Sequence, residues 1–178
     1  MASWAKTLRS AMLSGSLASV TSTVALAFLA RAEGKAAVQP VNSTSHWLNG
    51  EQAGSFKQAD LAHTAVGYAT HHAATLFWAV IFERWVAPRR PVAALPMLRD
   101  ALLLSAIAAA VDYGATPKRF TPGWEFVLSK RSMAAAYVAM AVGLAAGALI
   151  AQDDQVRTRR LNARLLDNSN RPIRRSLS

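Results

Sequence analysis

Three histidines and one aspartate stand inside long apolar blocks of this chain: His63, His71 and His72 within residues 61 to 86, and Asp112 within residues 97 to 115. An ionisable side chain in hydrocarbon costs about 3 kcal/mol on insertion scales, so such groups persist where they face a bundle interior or a partner. At about 100° per residue, His63, Gly67, His71, Ala74 and Trp78 fall within a sector of about 80° on a helix, one inward stripe. His72 lies roughly opposite His63, near the sector of Glu83, and is expected to face a different neighbouring helix or another subunit. Helical rise puts His63 and Asp112 within about 10 Å of the same membrane face and His71 about 15 Å deep, so a His63–Asp112 pair is expected.

Three chemistries suit this set. Neutral imidazoles can tie helices together through hydrogen bonds worth about 1 kcal/mol each. A proton or ion path can run through His71, His63 and Asp112, because buried imidazole and carboxylate groups suit relays. A haem or metal site is the third, but the opposed directions of the histidines argue against all three binding one ion. No other block contains histidine, so two-histidine haem ligation would require a homodimer or another axial ligand. The chain has no cysteine, which removes thiolate metal sites and thiol catalysis. Glycine-rich phosphate loops and paired-carboxylate motifs are missing too, and the serines of the first block have no base nearby in sequence. No catalytic residue, metal ligand or cofactor is assigned.

The elements that must position these groups are four apolar blocks in a chain of 178 residues that is 52% hydrophobic. A hydrocarbon core of about 30 Å takes about 20 helical residues, and the blocks, residues 12–30, 61–86, 97–115 and 133–151, approach that length. The expected fold is all-α: residues 1–151 form a bundle of four transmembrane helices and residues 152–178 a basic cytoplasmic tail. The first block also resembles a secretory signal, with a cleavage site near Ala27 or Ala32, but it is longer than a signal core. It carries Gly15, Ser19 and Thr23 at four-residue spacing, and the fourth block carries Ala135, Ala139, Gly143 and Gly147. Both stripes suit close helix packing or association with other chains. The third block is the weakest, since Arg99 and Asp100 flank one end; these and Glu83-Arg84 read as interface charges.

Lysines and arginines split thirteen against seven of the 20 between the two sides of a four-span bundle. The excess places both termini in the cytoplasm and residues 31–60 and 116–132 outside. In the outer loops, Trp47 and Trp124 are expected at the lipid–water interface, the latter on a short surface helix begun by Thr121-Pro122. Asn42-Ser43-Thr44 satisfies a glycosylation sequon of low specificity. Gly114 is expected to stop the third helix with positive φ, and Ser129 or Ser132 to cap the fourth. The tail, with seven arginines against three aspartates, favours a bilayer with anionic lipids rather than nucleic acid, for which no aromatic-basic interleaving exists. Val156 to Leu166 is expected to form an amphipathic helix, and Asn168 to Ser178 reads as disordered.

The segments HTAVGYATHHAATLFWAVIFERW, NSTSHWLNG and VDYGATPKRFTPGWEFVLSKRS resemble a set of small uncharacterised proteobacterial inner-membrane proteins, and more distantly YagU-like inner-membrane proteins. The resemblance, over residues 12 to 150, implies a bacterial inner-membrane location and a four-helix organisation, and it transfers no catalytic residue. The expected role is non-enzymatic: an accessory or scaffold subunit in a homo-oligomer or larger membrane complex. The alternative is a small oligomeric transporter or channel using the intramembrane histidines and Asp112.

Overall fold

The computed structural model describes residues 3–86 and 93–169, and every regular element in them is helical. In chain order these are α1 (Trp4–Ala32), α2 (Gln39–Ser43), α3 (His46–Asn49), α4 (Val66–Ile81), α5 (Ala94–Gly114) and α6 (Lys130–Ser169). Three helices are long and apolar enough to cross a membrane: Trp4–Ala32, Ala94–Gly114 and the Lys130–Thr158 part of α6. The 16 α-helical residues of α4 rise only about 24 Å, but single π-helical turns, Leu61–Ala65 and Phe82–Val86, extend it at both ends.

Two boundaries differ from expectation. With no glycine or proline between Gly147 and Pro172, nothing in the sequence stops the last helix at residue 151, and α6 continues to Ser169. The first part of the tail is therefore a prolongation of the fourth block; Asn168 and Ser169 are helical, and residues 170–178 lie outside the described residues. Positive φ among the described residues belongs to Gly34, Gly50 and Gly123, and not to Gly114. Instead α5 ends where Ala115 and Thr116 both donate their N–H to the Val111 carbonyl, just before Pro117.

Helices α1 and α6 run antiparallel at the centre, α4 flanks α1 and α5 flanks α6. The central contact is a backbone-to-backbone approach. A Cβ on Gly143 would strike the Thr21 side chain and the Leu17 carbonyl, and one on Gly147 would strike the Ser14 backbone. The α1 residues that meet α6 are thus Ser14, Ala18 and Thr21, whereas Gly15 turns to α4, against Leu76 and Ala79. Ser19 is buried, Thr23 and Ala139 are half-buried and Ala135 is exposed. The α1 hydroxyls bond locally: Ser14 donates to the Ser10 carbonyl at 3.0 Å and Ser22 to that of Ala18 at 2.7 Å. Thr21 Oγ1 lies 2.9 Å from the Ala139 carbonyl across the contact.

At the end away from both termini the long loop folds into a cap. Residues 39 to 46 are all buried, although most are polar. Burial without hydrogen bonds would cost about 1–3 kcal/mol per group, and the cap supplies the bonds. Gln39 donates to the Gly54 carbonyl at 2.7 Å. Asn42 donates to the Phe56 and Gln58 carbonyls and accepts from Thr64 Oγ1 at 2.6 Å. Asn42 is fully buried, so the sequon reading does not apply to it. His46 places its two ring nitrogens 3.0 Å from the Ser43 and Lys118 carbonyls, fastening the two cap loops together.

The cap is also tied to α6. Ser129 Oγ accepts from the Ser132 N–H as its N-cap, and Glu33, just past α1, accepts from the Ser129 N–H and from both serine hydroxyls. The hydrogen bond from the Ser129 side chain first, then that from Ser132, hold the Glu33 carboxyl below its ordinary value of 4.5. A depressed carboxylate contributes stability above its unfolded pKa that is lost as pH falls through the folded pKa. Acid unfolding followed by circular dichroism in detergent should therefore show Glu33→Gln weakened at neutral pH and flatter than the parent below pH 4.5. The α1–α6 contact predicts that Gly143→Leu and Gly147→Leu each destabilise the bundle by about 3 kcal/mol or more, because the obstacle is backbone, which cannot step aside. Thermal unfolding of the purified variants measures this.

Candidate functional site

Because α4 and α5 meet chiefly near the terminus-side end, through the turn Phe82–Val86, the space between them at the cap end must be filled by something else. Trp124 fills it. The preceding Gly123 has φ of 79° and sits where a Cβ would strike the Ser43 carbonyl, so only glycine lets the loop turn inward here. Trp124 is 2% exposed, donates its Nε1–H to Thr44 Oγ1 at 3.2 Å, and packs against His71 and Tyr137 with ring centroids 5.6 and 5.4 Å away. The expected surface helix and interfacial Trp124 are thus replaced by a single 3₁₀ turn, Trp124–Phe126, folded into the bundle. Thr121 does not cap it; its hydroxyl lies 3.0 Å from the Lys118 carbonyl and 2.6 Å from Glu125 Oε1.

A cavity of about 80 Å³ remains beside Trp124, lined by His71, Thr75, Asp112 and Tyr137 among others. That volume matches two or three waters at about 30 Å³ each and falls below the roughly 300 Å³ of small-molecule pockets. Asp112 Oδ2 accepts from the Tyr137 hydroxyl at 2.6 Å. His71 Nε2 lies 2.9 Å from Ser22 Oγ. Ser22 Oγ is also within hydrogen-bond reach of the Ala18 and Ser19 carbonyls, so this contact ties the His71 ring to α1. An imidazole and a carboxylate therefore border one small, mostly apolar space, each held by a fixed partner. This geometry can order helices, and it can also pass a proton.

The other sequence candidates lie elsewhere. His63 does not pair with Asp112: its Nδ1 hydrogen-bonds the Asp60 carboxylate at 2.9 Å and its ring stacks on Phe56 with centroids 3.9 Å apart. The local turn wins because Asp60 N-caps the helix and accepts the His63 backbone N–H at 2.6 Å, leaving its carboxylate beside the ring. That backbone bond first, then the side-chain bond from His63, lowers the Asp60 pKa from its ordinary 3.8. On the expected inward stripe, Gly67 lies under the Val41 carbonyl, whereas Ala74 is exposed although it borders the cavity. His72 stacks on Tyr68 at 5.8 Å, and its Nδ1 has no hydrogen-bond partner. Trp47 is half-buried and donates to Thr70 Oγ1 at 3.1 Å, fixing the cap to α4.

At the terminus-side end, Glu83 and Asp100 are each only 5% exposed, so these two carboxylates are packed within the protein. Arg99 bonds the Asp100 carboxylate at 2.9 Å, and the Arg84 guanidinium stands 4.8 Å over the Trp4 ring. No group of three or more potential ligands converges as a metal site among the described residues.

No protein-family model, curated protein or solved structure matches the chain. The site therefore rests on its own geometry. Sequence reasoning missed Tyr137, Trp124, Thr75 and Ser22. Tyr137 carried a usable signal, the one hydroxyl-bearing aromatic in an alanine-rich block. Its bond predicts that Tyr137→Phe, which leaves Asp112 without that donor, costs about 1–3 kcal/mol, more than Asp112→Asn, whose amide oxygen still accepts. Paired thermal unfolding curves decide the order.

Proposed function

We propose that this chain is a non-enzymatic integral membrane protein with four transmembrane helices, α1, α4 with its flanking π-helical turns, α5 and α6, serving as an accessory or scaffold subunit. In this reading it lies in a bacterial inner membrane with both termini cytoplasmic, among the small uncharacterised proteobacterial proteins it resembles. The observation that carries the association is His72. It sits in the middle of α4, half-buried and stacked on Tyr68, and no described residue hydrogen-bonds its ring; the Nδ1 edge is enclosed by this chain itself, so it is the outward edge of the imidazole that a partner would meet. A polar group in hydrocarbon without a partner is costly, and a helix of a second chain supplies one. The glycine stripe cannot serve as that outer surface, because Gly143 and Gly147 are covered by α1.

A second reading, proton- or ion-linked transport, is favoured by the His71–Asp112 cavity. The two readings separate experimentally. Gentle extraction from the native membrane, with the mass and co-purifying chains identified, should yield a stoichiometric complex that His72→Phe dissociates while leaving the helical signal intact. A monomer unaffected by His72→Phe would overturn the accessory reading. In reconstituted vesicles, loss of a pH-dependent flux in His71→Ala and Asp112→Asn would establish transport instead, and unchanged flux would exclude that role.

A further inference from the structure

A second groove lies away from the buried histidine site, between the first turns of α1 and the end of the apolar part of α6. It measures about 670 Å³, and its walls include Lys6, Arg9, Met12, Leu13, Asp154 and Thr158. Lys6 and Arg9 stand three residues apart on one face of α1, both exposed, and neither has an ion-pair partner among the described residues. Deeper along the same wall come Met12, 56% exposed, and Leu13. From Lys6 to Ser16 the α1 wall rises about 15 Å, so the groove runs along the helices with a cationic mouth and an apolar depth. Trp4, 55% exposed at the same end with Arg84 over its ring, marks the level at which aromatic and cationic side chains meet lipid headgroups.

We infer that this groove is a binding site for one anionic phospholipid, with its phosphodiester at Lys6 and Arg9 and an acyl chain along Met12 and Leu13. Charge complementarity selects the headgroup class. Two cations and one carboxylate give the mouth a net charge of one positive, which matches a monoanionic phosphodiester. The α6 side presents acceptors: the Asp154 carboxylate and the Thr158 oxygen, whose proton goes to the Asp154 carbonyl at 2.8 Å. Gln155 directs its amide N–H to Ser10 Oγ at 3.1 Å, leaving its own oxygen for a donor as well. A headgroup bearing hydroxyls fits these acceptors, so the ligand is a lipid of the phosphatidylglycerol class. A free phosphate lacks the part that would occupy the apolar depth.

The site rests on the proposed reading of the chain as a membrane bundle with both termini on one side, yet its test in detergent does not depend on which side that is. The full chain, delipidated in mild detergent, is titrated with phosphatidylglycerol, phosphatidylethanolamine and phosphatidylcholine and read by native mass spectrometry. One phosphatidylglycerol per chain should be retained in preference to the other two, and Lys6→Gln with Arg9→Gln should reduce that retention about thirtyfold without shifting thermal unfolding. With phosphatidic acid, which has no hydroxyl-bearing head alcohol, added to the titration, Asp154→Asn, which raises the charge of the mouth to two positive, should narrow the preference for phosphatidylglycerol over it. Equal retention of phosphatidylcholine, an unaltered preference in the Lys6→Gln, Arg9→Gln variant, or equally strong competition by inorganic phosphate overturns the site. Lysine- and arginine-dependent retention in detergent, alongside thiol labelling that places the termini outside the cell, would leave the lipid site standing and refute the orientation alone.

Discussion

The close approach of α1 and α6 is the contact on which the rest of the bundle depends. Helices in lipid gain no hydrophobic advantage by leaving it, so they associate through van der Waals contact, and that contact improves as backbones approach. Gly143 and Gly147 permit that approach against Ser14 and Leu17. The cost of this choice is geometric. With α1 and α6 in the middle, α4 and α5 are held on opposite flanks, and the gap between them at the cap end has no helix to fill it.

The polar site follows from that gap. Trp124 enters it from a loop and is held by Thr44 of a cap whose own polar residues are buried and bonded. What remains is a space the size of two or three waters, bordered by His71 and Asp112. The same cap fixes both ends of its own loops, through Asn42, His46 and the Glu33 clamp on α6. The chain thus devotes the loops of its cap to closing the bundle, which accords with a structural role better than with an open conduit.

Helix content, the apolar blocks and a serine cap on the last helix could be read from the chain because each depends on local composition; the small-residue stripes do not each map to one contact, since Gly143 and Gly147 meet α1, Gly15 meets α4 and Ala135 is exposed. The pairings could not. His63 and Asp112 have similar depths, but depth does not distinguish a partner on another helix from Asp60 three residues away. Trp124 looked interfacial because an indole beside a Thr-Pro step suits the membrane surface, and only the separation of α4 from α5 gives it a place inside. Spacing also showed that a stripe of glycines packs closely against something, without showing that the partner is α1 of the same chain. The continuation of α6 past residue 151 was foreshadowed by the missing glycine and proline, a signal outweighed by the change to polar composition.

The central claim is that all four long segments cross the bilayer, including α4, whose α-helical part has 16 residues. The chain contains no cysteine, so single thiols can be introduced without a background to remove. The decisive measurement is labelling of Lys57→Cys, Lys118→Cys and Arg157→Cys by a membrane-impermeant reagent from each side of the membrane in turn. The four-helix bundle predicts that positions 57 and 118 react from one side and position 157 from the other. Labelling of positions 57 and 118 from opposite sides would mean that α4 does not cross, and would contradict the account.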